Sequence, residues 1–121
     1  MFTSTELLAQ KCSHQLAALN QSEIDDRLCA VPGWTLEGGK LVKSYAFKNY
    51  YETLAFINAI AYVIHAEDHH PELTVTYNHC GVRFDTHSVN DGKGGISQND
   101  FICAAKVDAI FQQSFARATG A

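Results

Sequence analysis

The chain has 121 residues, 46% hydrophobic and 18% charged, with Lys+Arg 9 against Asp+Glu 13 and a net charge of −4. That is one globular domain with a real core, too apolar for disorder and too acidic for a sequence-independent hold on DNA or RNA, which needs a basic surface. No apolar run approaches the ~20 residues of a membrane span, and Met1 to Gln10 lacks the basic start and apolar stretch of a secretory leader, so the cytoplasm is the expected address.

Leu7, Leu8, Cys12, Leu16 and Leu19 recur near helical spacing. Residues 1–21 therefore read as an N-terminal extension with a short helix, ahead of a domain over 22–118. Ser22 with Asp25 fits an N-cap followed by an acid three residues on, and that helix must stop at Pro32-Gly33. Trp34 to Leu36 and Leu41 to Phe47 read as strands about a two-residue Gly38-Gly39 turn, although Lys43 interrupts the apolar face. Tyr50 to Ile64 is the strongest helical stretch, with Phe56, Ile60 and Val63 on one stripe that Ile57 and Ile64 widen. It ends before Pro71, which cannot continue it. Leu73, Val75 and Tyr77 alternate with Thr74, Thr76 and Asn78, the period of a half-buried strand. Asn78-His79-Cys80-Gly81 is turn chemistry, and Val82 and Phe84 alternate with Arg83 and Asp85 as the partner strand. After the glycine-rich loop Ser88 to Ile96, Ser97 with Asp100 marks a last helix along Phe101, Ala104, Val107, Phe111 and Phe115. The order α-β-β-α-β-β-α predicts an α+β domain: one antiparallel sheet with helices on one face. Trp34, Tyr45, Phe47, Phe111 and Phe115 exceed what one small sheet face needs, which predicts an apolar interface between copies of the chain.

Cys12, Cys29, Cys80 and Cys103 are widely and irregularly spaced, with no Cys-x-x-Cys, and read as reduced thiols. Six histidines offer side chains whose ordinary pKa lies nearest neutrality, and three of them, His65, His69 and His70, stand close together. With Asn78–Gly81 as the turn, Tyr77 faces Val82, Val75 faces Phe84, Leu73 faces Thr86 and Glu72 faces His87. That register carries His87 to the start of the preceding strand, beside Pro71 and the His69-His70 pair. The same residues also fit a set of solvated polar groups at a sheet edge. A metal site is disfavoured, because His65 and His69 at i, i+4 lack the glutamate of His-Glu-x-x-His. Gly92 to Gly95 lacks the spacing of a phosphate loop and reads as a connection. Asp100 is accounted for at a helix N-terminus by free N–H groups and the helix dipole, which leaves open a part in the site.

His69-His70-Pro71-Glu72, Tyr77-Asn78, Thr86-His87, Gly95-Ile96-Ser97 and Asp100 together resemble the pterin-4a-carbinolamine dehydratases, also called 4a-hydroxytetrahydrobiopterin dehydratases. The family pattern is a His-His-Pro, an aromatic six residues past the proline, a histidine ten residues later and a downstream aspartate. Pro32-Gly33-Trp34, Ala55-Phe56, Asn58-Ala59 and the Asn99 to Lys106 stretch extend the resemblance over about residues 22 to 115. Leu73 departs from it, standing where animal members often carry Trp. The resemblance implies a four-stranded antiparallel sheet with helices on one side. It implies a homo-oligomeric hydro-lyase that dehydrates 4a-hydroxytetrahydrobiopterin to the quinonoid dihydropterin, recycling the pterin of an aromatic amino acid hydroxylase. His69, His70 and His87 are the implied catalytic residues, and His70, Pro71, Glu72 and Asp100 the implied substrate-binding ones. The implied chemistry needs no metal and no organic cofactor. Some animal members also serve as a dimerisation cofactor of a transcription factor, so the rival expectation is an interaction module. Such a module has no need to keep all three histidines with the aspartate.

Overall fold

A computed structural model describes residues 2–116. Among the described residues eight elements follow one another: α1 (Ser4–Leu8), α2 (Gln21–Leu28), β1 (Thr35–Glu37), β2 (Lys40–Ala46), α3 (Tyr50–Glu67), β3 (Glu72–Val75), β4 (His79–Phe84) and α4 (Gln98–Ser114). The four strands form one antiparallel sheet in the order β1-β2-β4-β3. This is the α+β architecture expected from the alternation of hairpins and helices. No helix among the described residues is long and apolar enough to cross a membrane.

Each helix begins where its side chains satisfy free backbone N–H groups. Asn20 caps α2, accepting from Glu23 N at 2.9 Å while Glu23 Oε1 accepts from Asn20 N at 2.9 Å. The expected start at Ser22 is thus two residues late; the same spacing of cap and acid recurs at Asn20 and Glu23, and the closed capping box selects it. Ser97 and Asp100 close a second capping box at α4. In the Gly38-Gly39 turn both residues have positive φ, +57° and +79°, as a two-residue hairpin turn requires. α3 runs three residues past the expected Ile64 and ends on Asp68 in the left-handed region, φ 51°.

Leu41, Tyr45, Cys80, Val82 and Phe84 face the helices and bury fully or nearly so against Phe56 and Ile60 of α3 and the first half of α4. The aromatic surplus is consumed here. Tyr45 lies 4.8 Å from both Phe56 and Phe111, and Phe47 lies 5.0 Å from Phe56 and 5.9 Å from Phe115, ring centre to ring centre. Trp34 is buried beside Tyr45. Trp34, Tyr45 and Phe47 are thus part of the interior, and Phe111 and Phe115 pack against it half-buried. Lys43, the interruption in β2, pairs with Asp108 of α4 at 2.9 Å. The same carboxylate accepts from the Tyr45 hydroxyl and from Trp34 Nε1. Burial and that carboxylate raise the Tyr45 phenol far above its ordinary range. Burial also pushes the Cys80 thiol up to about 11, so it behaves as core.

The β3–β4 register differs from the expected one. Glu72 pairs with Arg83, Leu73 with Val82, Thr74 with Gly81 and Val75 with Cys80, and the chain turns at Tyr77-Asn78. Glu72 therefore faces Arg83, not His87. The cause is β2: Ser44 pairs with Gly81, Tyr45 with Cys80 and Ala46 with His79, so three residues expected in the turn are held in the sheet. Leu73 and Val75 stay on the same face as Val82 and Cys80, because the slip is by an even number of residues.

Candidate active site

The C-terminal end of α3, the segment after β4 and the N-terminal turn of α4 meet at one edge of the molecule. Between them opens a cavity of about 450 Å³ whose lining includes His69, His70, Asp85, Thr86 and His87. The three expected histidines do converge, by a different route from the one the hairpin predicted. Thr86 lies past the end of β4 and is bridged to Gly95, Thr86 N donating to Gly95 O at 2.8 Å. His87 projects from the turn that follows and is exposed.

Asp100 is the buried centre of the site. Its Oδ1 lies 2.6 Å from His69 Nε2, and its Oδ2 accepts from Thr86 Oγ1 at 2.9 Å and from Ser97 N at 2.8 Å. The carboxylate has no exposed side-chain surface and His69 only 12%. The hydroxyl directions follow by elimination. Thr86 spends its one proton on Asp100, so the Ser97 hydroxyl, 2.6 Å away, donates to Thr86 and itself accepts from Asn99 N at 3.2 Å. Every donor in the chain points toward Asp100, so the carboxylate acts as an acceptor on both oxygens. His69 Nε2 therefore directs its N–H at Oδ1, and Nδ1 is the ring nitrogen that Asp100 does not engage. The His69 ring stacks on Phe84, 5.7 Å between centres and 6° between planes, which fixes its orientation.

The other two histidines also have aspartate partners, on the rim. His87 Nε2 is 3.3 Å from Asp85 Oδ1, and His70 Nε2 is 3.4 Å from Asp68 Oδ1. His87 is 84% exposed and His70 72%, so these pairs contribute little to stability. Pro71 and Glu72 lie outside the cavity lining. Glu72 sits on the open face of the sheet, 3.5 Å from both Lys40 and Arg83. Among the described residues no three His, Cys, Asp or Glu side chains are grouped to hold a metal.

Sequence reading missed several residues of the site. Asp85 carried a legible signal, since it shares its side of the chain with His87 two residues on. Glu67 did not. It is 4% exposed, accepts from Cys12 N at 2.7 Å and pairs with Lys106 Nζ at 2.8 Å, partners 55 and 39 residues distant. Burial alone would raise the Glu67 carboxyl, but the bonds from Lys106 and Cys12 outweigh it and hold the group below its ordinary value of 4.5. A depressed carboxylate stabilises the fold above the unfolded pKa, and that stabilisation is lost as pH falls through the folded one. Stability should therefore drop as pH is lowered through and below about 4.5, and Glu67→Gln should show a shallower acid limb. Urea midpoints at pH 7 and pH 3 for both chains test this; parallel acid losses would exclude Glu67 as a source.

Fold and site together define an α+β protein with histidines paired to carboxylates around a polar cavity, the equipment of an enzyme that moves protons. Residues 17–110 match the family model described as pterin 4 alpha carbinolamine dehydratase. A Bdellovibrio bacteriovorus protein provisionally named pterin-4-alpha-carbinolamine dehydratase is 56% identical over 116 residues, 96% of this chain and 97% of that one. A Nitrosospira multiformis protein under the same name is 46% identical over 93% of this chain and 99% of its own length. Among solved structures, a transcriptional coactivator/pterin dehydratase from Brucella melitensis superposes with a TM-score of 0.70 at 32% identity, covering 77% of this chain and 97% of that one. A pterin dehydratase-like protein described as a RuBisCO assembly factor in the alpha-carboxysome shares the fold, with a TM-score of 0.51 at 23% identity over 64% and 84% of the two chains. The chain belongs to the pterin 4 alpha carbinolamine dehydratase family, and with it to the hydro-lyases.

Proposed function

We propose that this chain dehydrates 4a-hydroxytetrahydrobiopterin to the quinonoid dihydropterin by histidine acid–base catalysis. The observation that carries the reading is the His69–Asp100 pair, buried on the Asp100 side and opening on the His69 side into a cavity shared with His70 and His87. His69 Nδ1, bearing the free lone pair, takes the proton from the pterin ring nitrogen N5. His87, held beside Asp85 on the rim, gives a proton to the hydroxyl on C4a. The N5–H electron pair becomes the C4a=N5 double bond, the C4a–O bond breaks, and water leaves. Both histidines then return to their starting states by exchange with solvent. His70 and Asp100 hold the substrate and the base, and Pro71 and Glu72 set the course of the chain after His70. The substrate is the hydroxylated pterin that an aromatic amino acid hydroxylase releases and the product the quinonoid form that a reductase takes up, which gives the enzyme its place in cytoplasmic pterin recycling. A pure interaction module would use Asp100 as a helix cap but has no task for a His69 paired to it and opening into the cavity with His70 and His87. A homo-oligomer fits the exposed Tyr51, Leu54 and Tyr62 on α3.

The test is purified protein added to freshly generated 4a-hydroxytetrahydropterin, followed spectroscopically. Dehydration should accelerate well above the spontaneous rate and survive exhaustive chelation. One neutral and one protonated histidine predict a rate maximum near neutral pH with a fall on both sides. No acceleration, or a chemical step flat with pH, would contradict the reading.

A further inference from the structure

Part of the cavity wall comes from a segment that no histidine motif accounts for. Residues 9–19, between α1 and α2, form neither helix nor strand and pass along the site as a strap. Cys12, Ser13, His14 and Gln15 line the same cavity as His69 and His87. The family match begins at residue 17, so these four lie outside it.

The strap is tied down along its length. Gln10 Oε1 accepts from Gln98 Nε2 at 2.8 Å, and Cys12 N donates to the buried Glu67. Asn99 grips Ser13 twice, its Oδ1 accepting from Ser13 N at 3.1 Å and its Nδ2 donating to Ser13 O at 2.7 Å. On the far side, Gln15 O accepts from Ser88 Oγ, Leu16 O from Asn90 N at 3.1 Å, and Leu19 N donates to Ile96 O at 2.8 Å. The approach is close enough that a Cβ at Gly95 would meet the Ala18 Cβ at 2.8 Å. The partners Gln98 and Asn99 immediately precede Asp100, and Ser88 follows His87. The strap is thus a fixed wall, referenced to the residues that carry the chemistry.

Its chemistry is distinctive. Ser13, His14 and Gln15, with Ser88 beside them, are all neutral or titratable hydrogen-bonding groups with no carboxylate. That wall suits hydroxyls on a ligand better than an apolar or cationic group. A cavity of about 450 Å³ lies within the ~300–1,000 Å³ of small-molecule sites and leaves room beyond the two fused pterin rings. We infer that the strap is the substrate-discriminating wall, with His14 and Gln15 taking up the hydroxylated side chain of a pterin whose C4a lies between His69 and His87. This rests on the dehydratase reading above.

The experiment compares two carbinolamines on the intact chain, one with a dihydroxypropyl side chain and one with methyl in its place. Wild type should show the lower KM for the dihydroxypropyl compound. His14→Ala and Gln15→Ala should each erase roughly three- to tenfold of that preference, the value of one or two neutral hydrogen bonds, through KM and with kcat held within about twofold. Both positions are at the surface of the strap, and unchanged urea midpoints would show that the fold is kept. A side-chain preference unchanged within twofold in both variants, or no preference in wild type, overturns the inference while leaving the dehydratase reading intact. If wild type turns over neither compound, the dehydratase reading falls. The strap is then judged by equilibrium binding of the two corresponding dihydropterins, with the same ratio deciding for or against it.

Discussion

His69→Ala should lower turnover roughly 10²–10⁴-fold, the usual contribution of a positioned acid–base group, and His87→Ala should fall in the same range. The two transfers occur on neighbouring atoms of one ring, so once one group is gone the other has little left to assist. The double variant should therefore cost much less than the product of the single losses. Single-turnover rates on all four chains measure this. Strict multiplicativity would mean independent action, and near-wild-type turnover in either single variant would remove that residue from the mechanism. The structure separates the two variants in stability. His87 is 84% exposed, so its loss should leave the urea midpoint unchanged. His69 packs on Phe84 and is the donor to a buried oxygen of Asp100. Its removal should cost about 1–3 kcal/mol, the penalty for leaving a buried acceptor unpaired.

Asp100→Ala should produce the largest loss of stability at the site, about 3–5 kcal/mol, as when one partner of a buried pair is removed. Three donors lose their acceptor at once: His69 Nε2, Thr86 Oγ1 and Ser97 N. With them goes one half of the α4 capping box. Asp100→Asn should be milder in stability but equally damaging to turnover. Its amide presents N–H groups toward groups that already donate, and His69 loses the partner that keeps its proton on Nε2. A urea titration with unchanged slope and a lowered midpoint is the expected form of the result. A loss below about 1 kcal/mol for Asp100→Ala would show that the network does not support this end of the fold, and normal turnover in Asp100→Asn would show that it does not set the His69 tautomer.

Local periodicity determined much of this protein by itself. Phe56, Ile60 and Val63 announce the buried face of α3, Val82 and Phe84 that of β4, and Ser97 with Asp100 the start of α4, because side-chain direction follows the 3.6- and 2-residue repeats whatever lies opposite. His69, His70, His87 and Asp100 were legible as a set from the family pattern. Register was not legible, since slips by two residues on each strand leave every side chain on its own face. Only the pairing of Tyr45 with Cys80 from a third strand decided between them. That Trp34, Tyr45 and Phe47 belong to the core likewise needed α4 in place over β2. The strap was least readable of all. Its anchors, Glu67, Asn99, Asn90 and Ile96, lie 55 to 87 residues away or in loops without a repeat, and an irregular segment held by distant side chains has no period of its own. Tertiary packing alone decided that the N-terminal segment closes the site, because an irregular segment buries and bonds itself only against partners that the rest of the fold has already positioned.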